Sequence, residues 1–208
     1  MFYGKINKDI EKIKRSRKLS DNDKVVTMFG SARTMADAED YDNATQIARI
    51  LSDMGYDIIT GGGPGIMEAG NLGAFHGANK SIGLGINLPF EQSMNEYLDI
   101  EEEFDYFFTR KAGYIYDMSG FIVMPGGFGT LDELFEVLTL IQTEMIREVP
   151  VILVNSDFWG GLVEWSSKIM GNKYKTISKV DMDFCNVVDT PCQAVYAFLE
   201  RLDEIKNK

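Results

Sequence analysis

The sequence predicts an α/β fold with a doubly wound, mostly parallel sheet and helices on both faces, and three observations carry that prediction. Short apolar runs alternate along the chain with segments whose apolar residues recur at helical spacing, as a parallel sheet built from strand and helix units requires. Two of the strand-to-helix turns are rich in glycine, GGGPG at 61–65 and PGGFG at 125–129. At 208 residues, 45% of them hydrophobic, the chain has enough apolar material for one packed core. Residues 1–208 are therefore read as a single domain, with 1–24 as a basic N-terminal helical arm.

The elements follow in order. Residues 5–24 carry eight basic side chains, Lys14, Arg15, Arg17 and Lys18 among them, while Ile6, Ile10 and Ile13 are spaced for one helix face. That pattern predicts an amphipathic helix docked by its isoleucines. VVTMFGSA from Val25 reads as a strand ending at Gly30 and Ser31, and 41–54 carries Ile47, Ala48, Ile50 and Leu51 at helical spacing until Gly55 stops it. A second strand at 57–60 runs into GGGPGIMEAGN and a helix over 66–76; a third strand covers 80–86. The stretch from Ile86 to Asp105 has no clear period and holds seven acids and no base, so it reads as a solvated acidic loop. It leaves a strand end, where open sheets bind ligands, and Glu91 is its candidate contact. A short strand is expected at 105–108 and a helix from Thr109 to Ser119. Phe121 to Met124 reads as a buried strand, and Leu131, Leu134, Phe135 and Leu138 mark the helix behind it. A strand at 150–155, a helix over 158–170 with Trp159 and Trp165 for packing or an interface, a strand at 184–188 and a helix at 191–205 complete the chain.

The chemistry concentrates around PGGFGTLDE. Gly126, Gly127 and Gly129 let the backbone approach a ligand closely, and the first N–H groups of the following helix have no partner within it. Such a turn favours an anion, most simply a phosphate. Thr130 offers a hydroxyl and a cap, and Glu133 follows three residues later between Asp132 and Glu136. The same letters also spell a capping box, in which the glutamate does no more than bond the cap residue's own N–H. Gly62 and Gly63 of the second glycine turn, and Gly30 and Ser31 after the first strand, are further backbone candidates for substrate binding. Arg110 and Lys111 are adjacent bases that suit a phosphate or a leaving group, with plain surface charge as the alternative.

Other chemistries are argued against. A net charge of -11 and a pI near 4.6 oppose a nucleic acid or an anionic membrane as partner. Cys185 and Cys192 are too few for a zinc site or a disulfide framework, and no apolar run reaches the length of a membrane span, so a cytoplasmic protein is expected. The glycine turn at 61–65 has no glycine at 66 and no following Gly-Lys-Ser/Thr, which sets aside both the dinucleotide fingerprint and the Walker loop. His76 is the one histidine, and there is no Gly-x-Ser-x-Gly, so neither a hydrolase triad nor a His-rich metal centre is expected. No metal and no cofactor are expected. Carboxylate and arginine chemistry remains, suited to breaking a bond through a cationic, sugar-like transition state.

PGGFGTLDE matches Pro-Gly-Gly-x-Gly-Thr-x-x-Glu, and with GGGPGIMEAGN and the Arg110-Lys111 pair the chain resembles the Lonely Guy family over roughly residues 25–170. These are cytokinin riboside 5'-monophosphate phosphoribohydrolases, long labelled possible lysine decarboxylases. The resemblance implies a Rossmann-like homodimer that hydrolyses the N-glycosidic bond of a nucleoside monophosphate. It implies Arg110 and Glu133 as the catalytic pair, Gly126, Gly127, Gly129 and Thr130 as the phosphate loop, and Lys111 and Glu91 as substrate contacts. Many plant-like members have a histidine just before the Arg-Lys pair, where this chain has Phe107, Phe108 and Thr109, and the N-terminal arm lies outside the common core. AMP therefore stands beside the cytokinin nucleotide as substrate. A non-catalytic nucleotide or molybdenum-cofactor carrier is the rival reading. The decarboxylase label would need pyridoxal phosphate on a lysine, and no lysine stands out for it.

Overall fold

A computed structural model of the chain describes residues 2–87 and 94–207. The chain runs through α1 (Phe2–Ser20), β1 (Val25–Phe29), α2 (Glu39–Asp53), β2 (Asp57–Thr60), α3 (Ile66–Phe75), β3 (Ser81–Ile86) and β4 (Ile100–Phe104). It continues through α4 (Phe107–Ile115), β5 (Gly120–Val123), α5 (Phe128–Gln142), β6 (Val151–Val154) and α6 (Ser156–Trp165). A π-helix (Ser166–Lys173), α7 (Lys179–Met182), β7 (Cys185–Val188) and α8 (Pro191–Lys206) follow.

The strands form one seven-stranded sheet in the order β4-β3-β2-β1-β5-β6-β7, with every pair parallel. The chain winds outward from β1 to β4, crosses back to place β5 beside β1, and winds outward again. The reversal leaves a crevice at the carboxyl ends of β1 and β5, where the connections part to opposite faces. Both faces are covered, so central strands are buried at every residue and read as unbroken apolar runs. Phe121 and Val123 of β5 enter the layer shared with Tyr114 of α4, Leu134 and Val137 of α5 and Trp159 of α6. Ile122 and Met124 enter the opposite layer with α2, α3 and α8, through Ile47, Ile66 and Phe198.

The fold differs from expectation at the β4 edge and after α6. The acidic stretch is not all loop: Ile100–Phe104 pairs with β3 as the edge strand, with Ile100, Glu102 and Phe104 buried and Glu101 and Glu103 exposed. The period of two was hidden because one inward position is a glutamate. Glu102 is paired there with the guanidinium of Arg15 from α1. Residues 105–108 then form a turn and the start of α4 rather than a strand, and α4 ends at Ile115. Phe107 and Phe108 suggest β structure by type, yet both are half exposed and contribute nothing to the sheet. The arm is helical as expected, but its docking is mainly polar: Ile13 packs on the core while Ile10 is exposed. The helix expected over 158–170 stops as α-helix at Trp165 and widens into the π-helix, a change residue spacing does not announce. Trp159 is fully buried core, and Trp165 is half exposed.

Candidate active site

The turn after β5 sets the geometry of the site. Helix α5 begins at Phe128 with Gly127 as its N-cap and no side-chain capping bond, and Leu131 N–H donates to Gly127 O at 3.0 Å. Thr130 is therefore in the first helical turn and not the cap, and the capping box with Glu133 does not form. The physical reason is that the Pro125–Gly127 turn completes the reversal early, so the helix starts before the hydroxyl residue arrives. Two consequences follow. The N–H groups of Phe128, Gly129 and Thr130 have no acceptor within the helix, and Glu133 is left without a capping duty. A Cβ on Gly127 or Gly129 would meet nothing within 4 Å, whereas one on Gly126 would run into the Thr130 side chain. Gly126 is thus required by packing, and the space above Gly127 and Gly129 is left open by the protein.

Ser31 joins three loops at the crevice. Its N–H donates to Pro125 O at 3.0 Å, and its carbonyl accepts from Ile66 N–H at 2.9 Å. A Cβ on Gly30 would overlap Ile66, and Gly65, with φ 68°, has no room against Ser31 and Ala32. Gly62 also has positive φ, 71°; its N–H donates to Thr60 Oγ1 at 2.9 Å. Asn95 donates to the carbonyls of Gly62 and Gly63 through Nδ2 at 2.9 and 3.0 Å, and through its backbone N–H to Gly62 at 2.7 Å. These two glycines shape the loop through structural bonds. Behind them lies a buried amide network that residue patterns did not reveal. Asn71 Oδ1 accepts from Thr60 Oγ1 at 2.5 Å and from Asn95 Nδ2 at 2.9 Å, while Asn71 Nδ2 donates to Ser81 Oγ at 3.0 Å.

Helices α4 and α5 bring Arg110, Lys111 and Glu133 together. Lys111 Nζ lies 2.7 Å from Asp132 Oδ2, 2.7 Å from Glu136 Oε2 and 3.9 Å from Glu133 Oε2. Burial acts to lower the Lys111 pKa, but the three carboxylates outweigh it and leave the pKa raised. Lys111 is consequently a charged latch between the two helices. At 3.9 Å its contact with Glu133 is electrostatic only, and Glu133 Oε2 is buried without a hydrogen-bond partner. Burial pushes the Glu133 carboxyl up to about 7; Lys111 and Arg110 oppose the rise, and Glu136 and Asp132 add to it. Arg110 Nε donates to Leu84 O at 2.7 Å and Nη2 to Gly61 O at 3.4 Å, so the guanidinium is fixed over the ends of β2 and β3. Tyr114 supports it from below, with the guanidinium 5.1 Å from the ring centre and the Tyr114 hydroxyl donating to the same Leu84 O at 3.0 Å. Glu91 lies outside the described residues.

The arrangement can hold a small anion on backbone N–H groups and can take up or release a proton near neutral pH through Glu133. Among the described residues no group of His, Cys, Asp and Glu side chains is placed to hold a metal ion, and no helix is long and apolar enough to cross a membrane.

The family model described as "Possible lysine decarboxylase" matches residues 67–198, well over half of the chain. The chain belongs to this family, the Lonely Guy family. Among Lonely Guy relatives, a protein of Oryza sativa subsp. japonica named a probable cytokinin riboside 5'-monophosphate phosphoribohydrolase is 35% identical over 117 residues, 55% of this chain and 47% of its own length. One of Arabidopsis thaliana with the same description is 31% identical over 144 residues, 68% of this chain and 71% of the relative. The chain thus spans about half the length of the rice relative. Among solved structures, the molybdenum cofactor carrier protein of Chlamydomonas reinhardtii superposes with a TM-score of 0.63 at 16% identity, covering 89% of this chain and 99% of that one. That likeness shows the Rossmann-type fold alone. The matched Lonely Guy region includes α4, α5 and nearly all of α3, and it begins after α1, β1 and the 61–65 turn.

Proposed function

We propose that the protein hydrolyses the N-glycosidic bond of a nucleoside 5'-monophosphate, AMP or a cytokinin riboside monophosphate, to the free base and ribose 5-phosphate. The observation that carries the reading is Glu133, a largely buried side chain with one buried, unbonded carboxylate oxygen, near an open, glycine-lined helix N-terminus. The 5'-phosphate is held by the N–H groups of Phe128, Gly129 and Thr130, which places the ribose toward Glu133. As the C1'–N bond breaks, its electron pair leaves with the base, and Arg110 supports the negative charge that develops there. The Glu133 carboxylate stabilises the ribosyl cation and accepts the proton of the water whose oxygen bonds to C1'; that same proton then passes, through solvent, to the departing base, which regenerates the carboxylate. Relatives named as phosphoribohydrolases support this reaction class.

The active unit is proposed to be a homodimer in the cytoplasm; apolar side chains left uncovered on α5, where Phe128 is 92% exposed and Phe135 40%, support the dimer. The test is incubation of the pure protein with a panel of nucleoside monophosphates and the matching nucleosides, with released bases identified. AMP hydrolysed much faster than adenosine, and at the same rate with chelator present, is the expected result. Adenosine hydrolysed as fast as AMP would remove the phosphate loop from the mechanism, and AMP bound without turnover would favour a carrier.

A further inference from the structure

The arm carries one residue that an exposed basic helix does not need. Asp9 is completely buried, between exposed Lys8 and Ile10 on a helix whose net charge is positive. Its carboxylate reaches the start of α4: Oδ2 accepts from Thr109 Oγ1 at 2.6 Å and from Asp105 N–H at 3.1 Å, and Lys12 Nζ lies 3.2 Å from Oδ1. Thr109 has one hydroxyl proton and a second acceptor in Tyr106 O at 2.9 Å, so the shorter, charge-assisted bond to Asp9 is the favoured one. Tyr106, the N-cap of α4, supplies no side-chain capping bond. The acid that faces this helix start comes instead from α1, about a hundred residues away, and its charge suits the positive end of the helix dipole. At the other end of α4, Arg17 Nη2 donates to Asp117 O at 3.2 Å. Between the two, a Cβ on Gly113 would lie 3.6 Å from Ile13 Cγ1. Helix α1 therefore grips α4 at its start, its middle and just beyond its end.

What α4 carries gives this grip a consequence. Thr109 is followed directly by Arg110 and Lys111, and a nine-residue helix is too short to hold its own position in water. We infer that α1 is a strap that sets the position of α4, and that Asp9 is a positioning residue for Arg110 and Lys111. The inference rests on the hydrolase reading for its kinetic consequence. A shift of α4 by about an ångström would displace Arg110 from the carbonyls of Leu84 and Gly61, the scale of misplacement that lowers turnover roughly a hundredfold. The matched family region begins at residue 67, so this chain supplies the strap from outside it.

The test compares Asp9→Ala, Asp9→Asn, Thr109→Val and Thr109→Ser in the full chain, with Val195→Ala on the opposite face of the sheet as a destabilised control. Asp9→Ala and Thr109→Val are expected to lower kcat roughly 10- to 100-fold with KM for AMP within about threefold of wild type. Asp9→Asn and Thr109→Ser keep an acceptor and a donor in place and are expected to retain turnover, as is Val195→Ala despite its lower Tm. The double variant Asp9→Ala/Thr109→Val should fall little below the worse single, because one bond is being removed twice. Should Asp9→Ala fail to fold, Thr109→Val decides alone. Folded Asp9→Ala or Thr109→Val with wild-type kcat would overturn the strap. Hydrogen exchange separates this failure from that of the hydrolase reading, since it needs no turnover. Amides of α4 should exchange about tenfold faster in Asp9→Ala while those of β1 and β5 stay unchanged, and unchanged α4 exchange would sink the inference even in an active enzyme.

Discussion

Replacing Glu133 with glutamine separates a carboxylate kept for chemistry from one kept for structure, because the two roles predict opposite signs in stability. An acid whose pKa is raised on folding binds its proton more tightly in the folded chain than in the unfolded one. Stability therefore falls as pH rises from the ordinary value of 4.5 to the folded value of about 7, and stays at the lower level above it. At about 1.4 kcal/mol per pH unit, that rise amounts to about 3 kcal/mol of destabilisation at pH 8. The side chain is only 13% exposed, so solvent screening reduces the figure little. Glutamine fills the same space without the charge. Glu133→Gln is expected to be more stable than wild type at pH 8 by up to about 3 kcal/mol, or about 2–4 °C of Tm for each kcal/mol. The gap should close near pH 5, where wild type is protonated. Turnover of AMP should fall about a hundredfold or more. Urea unfolding at pH 5 and pH 8, with base release measured in parallel, reads both quantities. A variant that loses stability at pH 8 would show that the carboxylate is a structural partner, and a folded variant within a few-fold of wild-type turnover would leave the mechanism without its centre.

The remaining predictions concern the rest of the site. With Glu133 acting in its ionised form, kcat/KM should rise between pH 6 and 8 with a midpoint near 7, and a fall over that range in a steady-state profile would make it an acid instead. Gly129 sits in the first turn of α5 with open space where a Cβ would go, so Gly129→Ala should raise stability by about 0.5–1 kcal/mol. The same methyl should weaken AMP binding at least about tenfold by calorimetry, since it enters the space assigned to phosphate; unchanged affinity would move the phosphate elsewhere. Asn71→Ala takes the acceptor from the buried Thr60 hydroxyl and the amide donor from buried Ser81 Oγ, and should cost about 1–3 kcal/mol in urea unfolding; a cost below about 0.5 kcal/mol would mean that the network reorganises freely.

The sheet was legible because its strands are buried on both faces. VVTMF, FIVM and VILV carry the signal of a parallel interior in their own letters, and the glycines after the first two and Asn155 after the third mark where the chain turns. β4 was not legible, since IEEEF shows its alternation only when Glu102 counts as an inward residue, and it counts as one only because Arg15 neutralises it across 87 positions of sequence. The same limit hid Asp9. A local pattern reports which residues share a face of one element, but a buried acid is explained by whichever distant donors meet it, and Thr109 is a hundred residues away. Asn71 and Asn95 were hidden in the same way, as ordinary polar residues that become a network only when β2, α3 and the segment after β3 come together.

The residues of the central motif were legible, but their division of labour was not, and the glycines show why. Gly30, Gly65 and Gly126 are glycine because side chains or backbone already occupy the place of a Cβ. A protein with no ligand at all would need them. Gly127 and Gly129 have no such neighbour, and an alanine at 129 would favour the helix. Their lack of side chains keeps the turn open, as the proposed phosphate site requires. Thr130 and Glu133 divide along the same line. As letters they form a capping box, which would have spent both side chains on the helix itself; because the helix begins at Phe128, neither is spent. The unbonded oxygen of Glu133 and the open turn before it lie at the same end of α5, and a start three residues later would have closed both. The position of the helix start, more than the identity of any one motif residue, is what would let a common strand-to-helix turn hold and cut a phosphorylated ribose, as the proposed function requires.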